Sequence, residues 1–294
     1  MKQFRIGIIG TENSHAYAFS QYFNKPDENG NYRYPDCHVT LVYGHYPEEN
    51  EKVVREYGAD AVAGSIEQMV ANVDAVMVTA RDGKFHYEFV RPFIEAGIPA
   101  FVDKPFTVDE KEAVALVGLA KAKNVPLTGG SMLKFSPTIA QMKEKVQELG
   151  DAFVSGSLSA PLNMNNPYSG FFFYSSHLCE MTLEVFGYRP KSVYAVRHNE
   201  DSVCAIVDYG KFSVTNHFNN GAYQYAGSVF GTTGQLVSEV SLEGCGEKEC
   251  DVFVEMLRTG KMAHSYEELA APVFYLNAVK ESYESSKPVE IRWP

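Results

Sequence analysis

Arg5-Ile6-Gly7-Ile8-Ile9-Gly10 runs from an apolar strand pattern into a glycine, and Ser14 to Phe23 reads as the helix that follows. Backbone N–H groups at the start of such a helix, reinforced by its dipole, form an anion cradle. The turn Gly10-Thr11-Glu12-Asn13-Ser14 is therefore a candidate seat for a dinucleotide pyrophosphate. The G-x-G-x-x-G fingerprint of that seat is incomplete. Glu12 stands where a second glycine would let the backbone approach the phosphates, and His15 holds the third position. A carboxylate beside a pyrophosphate repels it unless it turns outward; the amide of Asn13 and the hydroxyl of Ser14 are candidate replacements. The acid that would hold the adenosine ribose at the end of the second strand is also missing, because Val42-Tyr43 leads to Gly44-His45. His45 and Arg81 could meet a ribose 2′-phosphate, so NAD and NADP both stay open as cofactors.

Two further constellations carry chemistry. In Val102-Asp103-Lys104-Pro105-Phe106 an amine follows a strand, and Pro105 stops that strand and stiffens the turn that aims the lysine. The ordinary alternative is a loop lysine on a solvated turn. Ser176-His177-Leu178-Cys179-Glu180 sets an imidazole, with proton affinity near neutrality, on a helix. Its ordinary alternative is a satisfied core histidine. The aromatic run from Tyr168 to Tyr174 either lines an apolar platform or serves as core. Glu12, His15, His177 and Glu180 are metal-ligand types, but no close ligand-pair spacing joins them, and no metal site is assigned.

The elements that must position these residues fall into two patterns. In the first half, short apolar runs at Phe4–Ile9, Val39–Tyr43, Val73–Thr79, Pro99–Val102 and Val125–Leu127 alternate with helical patterns, as parallel β-α-β units do. Capping boxes are read at Thr107 with Glu110 and at Ser65 with Gln68, and Ser136-Pro137 opens a helix that ends at Gly150. After Gly150 come successive strands at Ala152–Ser159, Ser192–Arg197, Ser202–Asp208, Phe212–Phe218, Tyr225–Phe230 and Gln235–Val240, interrupted by a helix around Ser176–Phe186. A last helix is capped by Ser265 and Glu268, and Pro288–Arg292 is a short terminal strand. The expected class is α/β: an N-terminal Rossmann doubly wound parallel sheet over 1–130 and a C-terminal α+β domain with an open, mostly antiparallel sheet over 131–294.

Composition narrows the partners. With 294 residues, 45% of them hydrophobic, each half has material for a core. A net charge of -11 without a Lys/Arg-rich run argues against nucleic acid or anionic lipid as a partner. The five cysteines are read as reduced thiols, and no apolar stretch approaches the roughly 20 residues that span a bilayer. A soluble cytoplasmic protein, without membrane contact, is expected.

The stretch Glu95-Ala96-Gly97-Ile98-Pro99 followed by Asp103-Lys104-Pro105 resembles the Glu-Lys-Pro region of the Gfo/Idh/MocA (glucose-fructose oxidoreductase, inositol dehydrogenase) family, with Asp103 in place of the glutamate. Asp74-Ala75-Val76 with His86, Leu119-Ala120-Lys121, Lys134-Phe135-Ser136-Pro137, Gly231-Thr232-Thr233-Gly234 and Ser285-Ser286-Lys287-Pro288-Val289 match further motifs in the same order. The resemblance implies an oxidoreductase that passes hydride between NAD or NADP and a hydroxyl or carbonyl of a sugar, cyclitol or similar small polyol. It implies cofactor contacts at Gly10, Thr11, Glu12, Asn13, Ser14, His45, Thr79, Arg81, His86, Asp103, Lys104 and Pro105. Lys104 would orient the reacting hydroxyl and assist its proton transfer, and His177 would act as acid/base. Glu180 replaces the usual aspartate and is expected to contact substrate, and Phe173 stands where an acid commonly precedes the histidine by four residues. Tyr168 or Tyr174 would then bind substrate instead, or the chemistry is altered or lost. A redox-inactive ligand-binding protein and a non-redox sugar-modifying enzyme are the two other readings. A homodimer or homotetramer is also implied.

Overall fold

The apolar run expected as the first strand forms β1 (Phe4–Ile9), with Ile6, Ile8 and Ile9 wholly buried. From it the computed structural model, which describes residues 2–200 and 202–293, alternates strand and helix: α1 (Ser14–Asn24), β2 (Cys37–Tyr43), α2 (Pro47–Tyr57), β3 (Ala61–Val62), α3 (Ile66–Asn72), β4 (Ala75–Val78), α4 (His86–Glu95), β5 (Ala100–Asp103), α5 (Glu110–Lys123) and β6 (Leu127–Gly130). These strands make one parallel sheet in the order β3-β2-β1-β4-β5-β6. The order reverses between β1 and β4, which opens a crevice at their carboxyl ends, the place where doubly wound sheets take ligands. Every residue of β4 and β5 is buried, as expected for parallel strands covered on both faces.

Two local expectations are corrected. The cap of α5 is Asp109, whose Oδ1 accepts from Lys111 N (2.7 Å) and Glu112 N (3.2 Å); Thr107 instead donates from its hydroxyl to Asp109 O. Val125 closes the C-terminal cap just beyond that helix, its N–H bonding Ala120 O at 2.9 Å, and β6 starts only at Leu127. It runs on through Gly129, where a Cβ would lie 1.9 Å from Val102 O, so only glycine lets β6 sit this close to β5.

The second half contains α6 (Pro137–Leu149), β7 (Phe153–Leu162), α7 (Phe171–Phe186), β8 (Ser192–His198), β9 (Ser202–Asp208), β10 (Ser213–Asn220), β11 (Ala226–Gly231), β12 (Gln235–Glu239), α8 (Cys245–Thr259), α9 (Tyr266–Ser285) and β13 (Val289–Glu290). Its sheet has the order β12-β11-β7-β10-β9-β8-β13, antiparallel throughout except for β7 beside β10. The β9–β10 hairpin turns at Gly210 with φ +84, as its sequence requires. A buried cluster of Tyr275 on α9, Asn216 on β10 and Thr182 on α7 joins helices to sheet; Asn216 Nδ2 donates to Thr182 Oγ1 at 2.9 Å.

By contacts the chain divides into one unit of Met1–Gly130 with Gly246–Leu269 and another of Ser131–Cys245 with Ala270–Pro294. The segment from Gly246 was expected in the second half, within 131–294, and α8 itself was not anticipated. The reason for its place is its buried stripe: Cys250, Phe253 and Val254 join the core of Phe19, Phe23 and Phe101. The Phe253 ring meets those of Phe23 and Phe101 edge-on at 6.4 and 6.2 Å. Arg258 adds a two-pronged bond to Asp36, Nε to Oδ2 at 2.8 Å and Nη2 to Oδ1 at 2.5 Å. Replacing Phe253 by alanine is expected to cost the first unit about 3–5 kcal/mol in urea unfolding, whereas a loosely attached helix would cost well under 1.

Candidate functional site

At the carboxyl end of β1 the backbone turns at Gly10 with φ +94, and a Cβ there would lie 2.1 Å from Ala80 N. No other residue fits, because the ends of β1 and β4 touch through their main chains. The contact is laced by hydrogen bonds: Thr79 N donates to Ile9 O at 2.7 Å, and Thr79 Oγ1 donates to Gly10 O at 3.0 Å. Asn13 caps α1 by accepting from His15 N at 3.2 Å, and its Nδ2 donates to Thr79 O at 2.8 Å. Thr11 and Thr79 are wholly buried. Their side chains shape the crevice and do not line it.

The departures from the glycine fingerprint have local explanations. Glu12 turns to the loop after β4, where its Oε1 accepts from Arg81 N at 2.9 Å. At Gly44 a Cβ would come within 2.8 Å of Thr11 Oγ1 and 3.1 Å of Asn50 Oδ1. Thr11 Oγ1 donates to Asn50 Oδ1 at 2.5 Å, and Asn50 Nδ2 returns a bond to Gly44 O at 3.0 Å. The position of the missing acid is thus closed by a buried amide, which sequence reading passed over because Asn50 lies in the polar run Glu48-Glu49-Asn50-Glu51. His45 is exposed, its ring against those of Phe85 and Phe89 at 4.9 and 5.0 Å. The glycine turn and helix start fit a dinucleotide pyrophosphate; the ribose end offers no carboxylate at residue 44.

The lysine turn is built on a buried acid. Asp103, the last residue of β5, has no solvent exposure. Its Oδ2 meets His15 Nδ1 at 2.7 Å and accepts from Asn13 Nδ2 at 3.3 Å, while Oδ1 accepts from Lys104 N at 2.7 Å. Burial pushes this carboxyl up, but the His15 ring, with help from Lys104 and His86, outweighs it and holds the group below the usual carboxylate range. Lys104 itself is buried, and the Lys104–Pro105 bond is cis. Pro105 packs where a Cβ on Gly83 would be 2.4 Å from its Cγ. The buried His86 ring spans two main-chain carbonyls at 2.7 Å, Pro105 O and Ala80 O, tying the exits of β4 and β5. Expected as cofactor contacts, Asp103 and His86 are placed as supports of the turn.

A second cluster lies in the other unit, on α7 and the short helical turn Met132–Phe135. His177 Nδ1 is 2.7 Å from Ser131 Oγ, and that oxygen also accepts from Leu133 N at 3.1 Å. Glu180 lies three residues further along α7. Its Oε2 accepts from Ser131 N at 2.7 Å and from Lys134 Nζ at 3.2 Å, in an ion pair whose side chains are both only 3% exposed. Ser131 and Lys134 were not singled out from sequence, although Lys134 lay within a quoted motif; a serine in a helix-capping position carries no other local signal. Tyr225 stands edge-on to the imidazole at 6.0 Å, and burial pushes its phenol up. Tyr174 contacts Phe173 and Tyr223, and Tyr168 contacts Phe173, so the aromatic run packs on itself. Among the described residues no three His, Cys, Asp or Glu side chains form a metal-ligand group.

A doubly wound sheet with an obligatory glycine at the exit of β1, and a buried-acid lysine turn at the exit of β5, defines a dinucleotide-binding fold of the Rossmann class. Residues 4–131 match the model of the oxidoreductase family with an NAD-binding Rossmann fold, GFO_IDH_MocA. Over 100 residues the chain is 35% identical to myo-inositol dehydrogenase Hyg17 of Streptomyces leeuwenhoekii, covering 34% of this chain and 30% of that protein. Over 80 residues it is 30% identical to UDP-N-acetylglucosamine 3-dehydrogenase of Acidithiobacillus ferrooxidans, covering 27% and 25%. The matched stretches thus span under a third of those relatives. Among solved structures, scyllo-inositol dehydrogenase from Lactobacillus casei with bound NAD(H) and scyllo-inositol superposes with a TM-score of 0.83 at 16% identity, over 99% of both chains. GenD2 from gentamicin A biosynthesis in complex with NAD gives 0.85 at 15% identity, over 99% and 97%. Over residues 4–131 the chain matches that family model, and over its whole length it shares the fold of these structures.

Replacing His15 by alanine is expected to destabilise the protein by about 2–3 kcal/mol at neutral pH, the scale of a bond to a buried charge. Because the folded Asp103 carboxyl is held low, the stabilisation it contributes is present above the ordinary carboxylate value and lost as pH falls through the folded value. The difference between wild type and variant in urea unfolding should accordingly shrink on acidification; a gap that stays constant down to acid pH would show that Asp103 is not its source.

Proposed function

We propose that the protein is an NAD- or NADP-dependent oxidoreductase acting on a hydroxyl or carbonyl of a sugar, cyclitol or similar small polyol. The observation that carries this reading is the locked Asp103-Lys104-Pro105 turn at the carboxyl edge of the parallel sheet, in a chain whose named relatives are inositol and sugar-nucleotide dehydrogenases. The turn from Gly10 to Ser14 would hold the pyrophosphate on backbone N–H groups at the start of α1. When bound, the nicotinamide accepts or supplies the hydride. Lys104 binds the reacting oxygen and takes or returns its proton, and its aim is set by the bond from its own N–H to Asp103. His177 is assigned as the second catalytic residue, with Tyr168, Tyr174 and Glu180 on the substrate side. A redox-inactive role is less well supported, since the named relatives are dehydrogenases.

The test is a titration with oxidised and reduced NAD and NADP, followed by a polyol and sugar panel read at the nicotinamide band. Binding of at least one cofactor is expected, with NAD and NADP within about tenfold of each other because residue 44 offers no carboxylate to repel a 2′-phosphate. Lys104→Ala should lower kcat by a factor of about 10²–10⁴ with little change in cofactor affinity. No response to any of the four cofactor forms would end this reading.

The outer face of the second unit's sheet suggests the assembly. Tyr194, Ile206, Thr215, Ser157, Ser228 and Val237 lie opposite one another in a single row across six strands. Ile206 and Val237 are 48% and 63% exposed. We infer that a second copy of the chain covers this face as a homodimer or homotetramer. Ile206→Lys should reduce the mass seen by light scattering without changing the thermal melt; a wild type that is already monomeric would refute it. A cytoplasmic location is proposed as well, on five cysteines that are all free thiols. No helix among the described residues is long and apolar enough to cross a membrane.

A further inference from the structure

The proton arrangement around His177 follows from the bonds of one hydroxyl. Ser131 is wholly buried. Its Oγ already accepts from Leu133 N at 3.1 Å, and its N–H is taken by Glu180 Oε2 at 2.7 Å. Its hydroxyl proton therefore needs an acceptor inside the protein, and among the described residues the group in reach is His177 Nδ1 at 2.7 Å. Were Nδ1 to carry the ring proton, Ser131 Oγ would accept twice and its own proton would be buried without a partner, an arrangement that is strongly disfavoured.

We propose that Ser131 is a positioning residue that donates to Nδ1 and fixes the neutral His177 ring with its proton on Nε2. Resting on the reading above, this makes His177 a hydrogen-bond donor to the substrate oxygen through Nε2–H, and not the base that removes the substrate proton. A ring already protonated at Nε2 has no lone pair there to accept another. The substrate proton would then be taken by a base other than His177, while a bound nicotinamide would supply the hydride chemistry. The device replaces a carboxylate partner. A carboxylate can only accept from Nδ1–H, which leaves Nε2 basic; a serine hydroxyl that must donate reverses that assignment. Glu180 and Lys134 hold the hydroxyl in place from behind, through the Ser131 main chain.

The decisive measurement is the long-range ¹H–¹⁵N correlation of histidine side chains in ¹⁵N-labelled full-length protein, at a pH where the His177 ring is neutral. His177→Asn assigns the signals. The wild type should show Nε2–H over Nδ1–H by about tenfold or more, Ser131→Ala should lower that ratio by about tenfold, and Ser131→Thr should restore it. Nδ1–H in the wild type would overturn the proposal, as would an unchanged ratio in both Ser131→Ala and Ser131→Thr. Should Ser131→Ala fail to fold, the wild-type tautomer and the Ser131→Thr spectrum decide alone. In kinetics, His177→Asn, which keeps a donor, should retain at least about tenfold more kcat than His177→Ala; equal loss in both would contradict the donor role. The tautomer is readable without turnover, so absence of dehydrogenase activity would sink the functional reading while leaving this one to be judged by the spectrum.

Discussion

The first unit is organised around one buried carboxylate. Asp103 ends β5 with no water in contact, and its two oxygens are shared between His15 and Asn13 at the start of α1 and the N–H of Lys104. A buried charge without partners would cost several kcal/mol, so the carboxylate forces its neighbours into place. The α1 start cannot drift from the β5 exit, and the lysine backbone cannot rotate. Asn13 extends the constraint to Thr79 and through it to Gly10, so the three strand ends that border the crevice move as one body. His86 closes the ring by joining Ala80 to Pro105. Rigid backing of this kind is what a lysine needs if it is to meet a small oxygen atom reproducibly.

The second unit repeats the device with different chemistry. Glu180 is buried almost as deeply as Asp103, and it too is bonded to a main-chain N–H, that of Ser131. Its counter-charge is Lys134, three residues further along the chain in the same helical turn. In each unit a buried acid fixes a main-chain N–H, that of Lys104 in one and that of Ser131 in the other. The acid in neither case needs to touch a substrate.

Most of the strands could be read from the sequence because their cause is local: an uninterrupted Val/Ile/Ala run can only be buried on both faces, and β4 is buried at every position. Gly210 and the Ser265–Glu268 cap were legible for the same reason, one through its backbone freedom and the other through two reciprocal bonds of 2.7 and 3.2 Å. What escaped has causes distant in sequence. The stripe Cys250, Phe253, Val254 was periodic enough for a helix, but Gly246 and the surrounding acids masked it, and nothing local says that it packs on Phe101. Asn50 and Ser131 are polar residues whose meaning comes from partners 39 and 46 positions away. Lys104 and His177 stand out in sequence because their motifs are contiguous; the residues bonded around them do not, because that is a tertiary relation.

Three substitutions argued from sequence for a family member that had lost its chemistry: Glu12 for a glycine, Gly44 for an acid and Phe173 for the partner of the histidine. A buried unsatisfied polar group is costly, so each position depends on what its surroundings offer. Each of the three is answered elsewhere in the chain. Glu12 is bonded to Arg81 N, Gly44 makes room for the Thr11–Asn50 pair, and the ring nitrogen left without an acid by Phe173 is met by Ser131. Each answer lies in a different element, and each keeps a buried polar atom satisfied without a carboxylate or glycine at the customary place. The Ser131 N–H is held by a buried ion pair, although apolar residues at 131 and 177 would avoid the desolvation of Lys134 and Glu180.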